Sequence, residues 1–516
     1  MQDDGTPQPG PETGPPDRRR RAINALIRDR RNRNATLGRL VETIKRESEI
    51  VHGPAPNGLE PGEPDRYRAM IRAAVVEQAA IQTALGILGP DGLLDDSWYG
   101  FVDAIDKSGM LERLGCWEHH LTTMQGRALE TAHEFTERHR GTTVRKVKVY
   151  GLGGSAAPHD LTAEIINNFR KTSAEIEVVH ADTPNPDHVD GSTLVVLASF
   201  SGDTEETIQC YRTVRHKTDL LVALAKGGQL RSIARMDGIP FIQLPEEPDH
   251  PAFVLQPRES VCLQMTATLA FLGSIELPPG SAGAFRVEDL AIVEGIVPLV
   301  QRWNSEFGPE RRFRDNPAKQ LAFFLLYGID YPGRGKLEEY DLWDKKVPFI
   351  LVDRNNRAVG HEARTQIHER AKLNAAYYEA PEFLHNLVES IRAGVESSQA
   401  HLGNDVFTYY IIRSVDEESR IRLRLDKTME LVVEGKGSYA ALNVEGNDPY
   451  QRALFATYFN AYMTTYLAIL NGFDPLPVPT MSWLKRVMEH FPREGNEEQE
   501  AQRAQRPVVD MRRKSA

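Results

Sequence analysis

The 516-residue chain carries a formal net charge of −11, with 26% charged and 41% apolar residues. That length exceeds one ordinary domain and predicts two core domains with appendages, while the acidic balance argues against general nucleic-acid binding. Cys116, Cys210 and Cys262 are widely spaced, form no CxxC or metal-type pattern and fit a reducing cytoplasm.

Residues 1–17 are rich in Pro, Gly, Asp and Gln, have little to bury and are expected to be disordered; they contain no apolar h-region of a secretory signal. The arginine run Arg18–Arg21, followed by Arg28, Arg30, Arg31, Arg33 and Arg39, reads either as a solvated helix end or as a contact for nucleic acid or an acidic partner. From Asn34 to about Gly89 the pattern is helical, and Tyr67, Met70, Ile71, Ala74, Val75 and Ala79 recur as one buried face requires. Helical periodicity resumes from Trp98 to Arg138 through Phe101, Ile105, Met110, Leu111, Leu114 and Trp117. No stretch approaches 18 uninterrupted apolar residues, so no membrane span is expected.

At Lys146 the character changes to alternating strand and helix. Strands are predicted at 147–150, 176–179, 193–198, 220–225 and 241–244, with connections long enough for a parallel sheet covered by helices. A helical linker is expected from Pro279 to Phe313. A second alternation starts at Asn316-Pro317-Ala318-Lys319, with strand candidates at 348–353, 375–379, 407–412 and 431–433. Tyr458 to Leu470 reads as a strongly apolar helix, and the chain after Arg493 as a charged tail.

Two turns carry the chemistry of the first alternation. Ser199-Phe200-Ser201-Gly202-Asp203-Thr204 links the 193–198 strand to a helix, so its hydroxyls stand beside unpaired helix N-terminal amides and form a cradle for a dianion. A plain N-cap needs one hydroxyl; this turn offers Ser199, Ser201 and Thr204. Gly151-Leu152-Gly153-Gly154-Ser155-Ala156, after the first strand, permits close backbone approach and adds Ser155. The same segment also satisfies a dinucleotide fingerprint with Asp182 as ribose acid, which would make a nicotinamide- or flavin-dependent enzyme. A dinucleotide site does not call for the second hydroxyl-rich turn, however, and a sugar phosphate does. In the second alternation, Arg364–Lys372 and Pro381–Asn386 set Glu369 and His385 on opposite sides of a short strand. A carboxylate can move a proton between adjacent carbons, and an imidazole can open a sugar ring. Taken on periodicity alone, Glu369 beside Arg370 and Lys372 equally suits an exposed ion pair. His361, His368 and His385 are too irregularly spaced to predict a metal site.

These segments, in this order from Phe101 to Met488, resemble the bifunctional phosphoglucose/phosphomannose isomerases, built from two sugar isomerase (SIS) domains. The shared elements are Gly151–Asp160, Ser199–Thr207, Lys226-Gly227-Gly228, Pro257-Arg258, Asn316–Lys319, Arg364–Lys372, Pro381–Asn386 and Asp474–Val478 with Leu484-Lys485. The resemblance implies an α/β protein with two doubly wound parallel-sheet SIS domains and an N-terminal helical extension. The domain limits follow as 1–97, 98–280, 281–490 and a tail at 491–516. It implies a cytoplasmic, metal-independent and cofactor-free aldose–ketose isomerase of hexose 6-phosphates, working through a cis-enediol, with a non-enzymatic sugar-phosphate sensor as the alternative. Glu369 would be the base, Arg258 would hold enediolate charge, Lys485 would contact the substrate, and Gly154, Ser155, Ser199, Ser201 and Thr204 would hold the 6-phosphate. His385 would assist ring opening from the partner subunit of a homodimer. Pro158-His159 departs from the family pattern and is expected to narrow the phosphate mouth. His368 and Arg370 flank the base where the family tends to have Asn, and a nearby cation depresses a carboxylate pKa. Leu476 stands where many members have a small hydroxyl residue.

Overall fold

A computed structural model of the chain describes residues 33–52, 64–95, 100–169, 176–180, 188–245, 256–275, 296–329, 344–396, 406–435 and 437–481. The arginine run 18–21, Asp182 and Lys485 lie outside the described residues, as does most of the 279–313 linker. Residues 1–476 form one compact unit; of a second unit, 477–516, only 477–481 are described.

The chain opens with helices α1 (Arg33–His52), α2 (Pro64–Leu94), α3 (Phe101–Ile105), α4 (Met110–Leu114) and α5 (Trp117–Arg138). Gly89, at positive φ before Pro90, kinks α2. The inward face of α2 runs through Ala73, Glu77, Ala80, Ile81, Ala84 and Leu85, whereas Val75 is 60% exposed. Of the expected face, Val75 is exposed and Ala79 half-buried, and the side chains of Tyr67, Met70, Ile71 and Ala74 lie outside those described. Phe101, Ile105, Met110, Leu111, Leu114 and Trp117 are all buried, as their spacing predicts.

The first alternation comprises β1 (Lys146–Tyr150), α6 (Ala157–Phe169), β2 (Ile176–Val179), β3 (Thr193–Ser199), α7 (Glu205–Val214), β4 (Leu221–Ala225), α8 (Gly228–Asp237), β5 (Phe241–Gln243) and α9 (Val261–Ser274). Its five strands are all parallel in the order β2-β1-β3-β4-β5, with Val149 opposite Val196 and Val178. Alternate strand residues face opposite sides. Val147, Val149, Leu194 and Val196 join the cluster with α5, α6 and α9, while Val195, Leu197, Leu221 and Ala223 meet α7 and α8. Both faces are covered, so β4 reads as an unbroken apolar run and β3 nearly so, whereas β1 carries Lys148, paired with Glu177 of β2 at 2.6 Å.

The second alternation follows α10 (Ile296–Phe307) and α11 (Pro317–Tyr327), with β6 (Val347–Val352), α12 (Arg357–Gln366), β7 (Ala376–Glu379), α13 (Leu387–Glu396), β8 (Phe407–Arg413), α14 (Ser419–Glu434), β9 (Ser438–Asn443) and α15 (Pro449–Asn471). The sheet is again parallel, β7-β6-β8-β9. Residues 431–433 are not the strand expected of them: they end α14, whose buried stripe is Leu425, Met429 and Val432. Helix α15, capped by Asp448 and stopped by Gly472 at φ 79°, is buried along almost its whole length. It belongs to the cluster that also takes in one face of each sheet and residues of α1 and α2. Asn316-Pro317-Ala318-Lys319 builds the start of α11. Asn316 accepts from the amides of Ala318 and Lys319, Pro317 occupies the first helical position, and buried Lys319 donates to Asp95 at 2.7 Å and to the Leu94 and Pro309 carbonyls.

Candidate active site

The first sheet changes direction at β1: the chain runs outward to β2, then returns to place β3 on the other side. The crevice beyond the carboxyl ends of β1 and β3 is where such sheets hold ligands. The turn after β1 delivers Ser155 there and the turn after β3 delivers Ser199, Ser201 and Thr204. They are stitched together: the Phe200 amide donates to Ser155 Oγ at 2.8 Å, and Ser199 Oγ accepts from the Gly202 amide at 3.0 Å while donating to Thr204 Oγ1 at 2.8 Å. Thr204 occupies the N-cap position of α7 yet makes no side-chain bond to a helix amide. A plain cap is therefore not what its hydroxyl supplies. Ser201 is exposed and accepts from the Asp203 amide at 3.1 Å.

The third turn, Lys226-Gly227-Gly228, closes against the second. A Cβ on Gly202 would lie 1.8 Å from the Gly227 carbonyl oxygen, so only glycine at φ 83° permits this approach. Asp203 faces it, its carboxylate accepting from the Gln229 amide at 2.9 Å.

Helix α6 starts with Pro158-His159. Both residues are buried, and His159, with no exposed surface, places Nδ1 at 2.8 Å from the Ser155 carbonyl and Nε2 at 3.1 Å from Thr268 Oγ1 of α9. His159 ties the Ser155 turn to α9 from inside. Burial pulls the imidazole pKa down to about 4.

Gly154 links these turns to the reacting groups, because a Cβ there would meet Pro257 at 2.9 Å. Pro257 and Arg258 lie on a single 3₁₀ turn held by a capping box between Gln256 and Glu259. Arg258 Nη1 donates to Glu369 Oε2 at 3.1 Å, across 111 positions of chain. Its Nη2 donates to the carbonyls of Pro475, at 3.2 Å, and Leu476, and Asp474 braces that loop by accepting from the Leu476 amide. The Arg258 side chain is 6% exposed and that of Glu369 27%, so the cation is fixed while the carboxylate keeps an open side. Leu476 contributes a backbone carbonyl to Arg258.

Glu369 sits on a one-turn π-helix, Ile367–Ala371, between α12 and β7. Such turns are rare and recur at functional sites. Arg370 and His368 are both turned away from it: Arg370 Nη1 donates to the Ala461 carbonyl of α15 at 2.6 Å, and His368 pairs with the backbone of Ala375. The guanidinium hydrogen-bonded to Glu369 is thus Arg258's, contributed by a distant part of the chain. Behind it, burial lifts the Glu362 carboxyl to about 7, raises that of Glu259 and lowers Arg370 to about 10. Sequence reading missed this buried layer, the Pro475 and Leu476 carbonyls, and Lys372, whose ammonium reaches the Glu369 carbonyl.

His385 is exposed on a short 3₁₀ turn after β7, while Glu369 precedes β7. The four-residue strand β7 runs between the two segments, so they lead into and out of opposite ends of it. Among the described residues no group of His, Cys, Asp and Glu has the arrangement of a metal site, and no helix is long and apolar enough to cross a membrane.

Two parallel sheets, hydroxyl-lined turns at a switch point and an arginine-paired carboxylate define a protein of the α/β class. Residues 340–488 match the bacterial phospho-glucose isomerase C-terminal SIS domain. The chain is similar to curated bifunctional phosphoglucose/phosphomannose isomerases. It is 27% identical to the one from Caldicellulosiruptor bescii and 24% identical to the one from Thermoplasma acidophilum, each match covering 70% of this chain and 95% of the relative. In fold it is similar to a hypothetical protein from Thermus thermophilus, with a TM-score of 0.51, 16% identity, and 83% of this chain and 97% of the other covered.

Proposed function

We propose that the chain is an aldose–ketose isomerase interconverting glucose 6-phosphate with fructose 6-phosphate, with mannose 6-phosphate as the second aldose to be tested. The observation that carries this reading is the Arg258–Glu369 pair, set through Pro257 and Gly154 against the Ser155 turn. The 6-phosphate takes the amides and hydroxyls around Gly154, Ser155, Ser199, Ser201 and Thr204, as a dianion does at helix N-termini. The Glu369 carboxylate removes the C2 proton of the open-chain aldose; the freed electron pair forms the C1=C2 double bond and the carbonyl electrons move to O1. Arg258, already aimed, holds the enediolate charge. The O2 proton passes to O1, the C2–O2 electrons form the ketone carbonyl as the C1=C2 bond breaks, and protonated Glu369 returns its proton to C1, which gives the ketose and restores the carboxylate. Neither a metal nor a redox cofactor takes part in this step.

His385 assists ring opening from a second copy of the chain; its exposure and its separation from Glu369 support this. Lys485, outside the described residues, is the proposed further contact for the substrate. The domain limits proposed are 98–280 and 281–490, with the helical extension before them, and Cys116, Cys210 and Cys262, which form no disulfide, fit work in the cytoplasm. The test is fructose 6-phosphate formation from each aldose separately, with EDTA present. Turnover of glucose 6-phosphate supports the reading; no turnover of either aldose overturns it. Glu369→Gln should lower turnover by about 10³-fold or more while sugar-phosphate binding survives. Unchanged turnover removes Glu369 as the base.

A further inference from the structure

The π-turn that carries Glu369 ends at Lys372, the sole non-glycine at positive φ among the described residues (φ 52°, ψ 35°). Helices commonly end with a residue in this left-handed conformation, but the residue is ordinarily glycine, because a Cβ is strained there. The lysine side chain does something glycine cannot. It folds back over the turn, and Nζ donates to the carbonyl oxygen of Glu369 and, at 3.4 Å, to that of Arg370. Those carbonyls are left open by the turn, whose closing bond runs from the Lys372 amide to Ile367. The base's own peptide is therefore held by the ammonium from one side, while its carboxylate is held by Arg258 from the other.

We propose that Lys372 is a positioning residue for the reaction, its ammonium locking the π-turn so that the Glu369 carboxylate is directed at Arg258 and the substrate. The assignment of Glu369 as base rests on the isomerase reading above; the locking of the turn does not. The groups facing Lys372 are Arg258 from the 3₁₀ turn before α9, Asp474 from the segment after α15, and Glu369 and Arg370 from its own turn. Burial, with Arg258 adding to it, brings the ammonium down to about 8, so the lock weakens as pH rises through that value.

Lys372→Gly separates the lock from the fold, because glycine relieves the left-handed strain while deleting the side chain. The expected result is an equal or higher Tm, kcat lowered by about tenfold or more, and KM for the sugar phosphate within about threefold. Wild type is expected to lose kcat above about pH 8; that fall should vanish in Lys372→Gly and move upward in Lys372→Arg, which keeps the charge. Glycine and glutamine variants with kcat within about twofold of wild type and an unshifted alkaline fall would overturn the inference. A crystal structure of Lys372→Gly gives a readout independent of turnover. Loss of the Glu369–Arg258 hydrogen bond supports the lock, and an intact bond overturns it whether or not wild type isomerises hexose phosphates.

Discussion

His159 shows what a single residue can do that its sequence neighbourhood does not announce. It departs from the family pattern beside the first phosphate turn, where an imidazole suggests something protruding into a site. The structure buries it completely and gives both ring nitrogens a partner. The neutral form is required there, and that has a consequence for stability. The folded-state pKa lies near 4 against an ordinary 6.5, so between those values the unfolded chain binds a proton that the folded chain refuses. Stability should therefore fall as pH drops from 6.5 toward 4, by up to roughly 3 kcal/mol from this group. His159→Gln keeps a donor for the Ser155 carbonyl and an acceptor for Thr268 but does not titrate. Its urea midpoint should depend less on pH over that interval than that of wild type; equal slopes would mean that His159 is not the group responsible. Glu369 and Arg258 illustrate the complementary case. Their side-chain types suggested their chemistry, but only folding turned Arg370 toward α15 and brought Arg258 to the carboxylate instead.

At the scale of elements, the central strands β3, β4, β6 and β8 were legible because both their faces are covered and they are mostly apolar and β-branched or aromatic. β9 escaped: Ser438–Asn443 is an edge strand with mostly half-exposed or exposed residues and no apolar run. The apolar residues at 431–433 drew the assignment instead, although Val432 faces the core and Val433 is 57% exposed, as successive positions on a helix do. The Asn316 element is a case where the local signal was complete. An Asn cap followed by Pro starts α11, and the same side chain donates to the Phe307 and Gly308 carbonyls at 2.9 and 3.1 Å. Asn316→Ala removes the cap and orphans buried carbonyls, and should cost about 2–4 kcal/mol in urea unfolding. Asn316→Asp keeps the acceptor and loses the donor, so an intermediate loss is expected. A cost below about 0.5 kcal/mol for the alanine variant would show that water replaces the side chain.

Across the whole molecule, the site is assembled from segments that begin near 151, 199, 257, 369 and 474. The nearly all-buried α15 lies in the core shared by both sheets, and the carbonyls after its end hold Arg258. Glu369 precedes β7 and His385 follows it, and the proposed reaction takes His385 from a second copy. Mixing decides this. Glu369→Gln and His385→Ala, each inactive alone, should restore about a quarter of wild-type activity when co-expressed, since half of the dimers are mixed and one of their two sites is intact. No restoration would place both groups of a site in one chain.

Local sequence determined the two alternations of strand and helix, the turns that follow β1 and β3, and the caps of α11 and α15. Each of these depends on side chains and backbone within a few residues of one another. The inward stripe of α2, the edge strand β9, the inward turn of His159 and the choice of Arg258 over Arg370 were decided by tertiary structure. In each, several local arrangements satisfy propensity and periodicity equally, and burial against a distant part of the chain selects one.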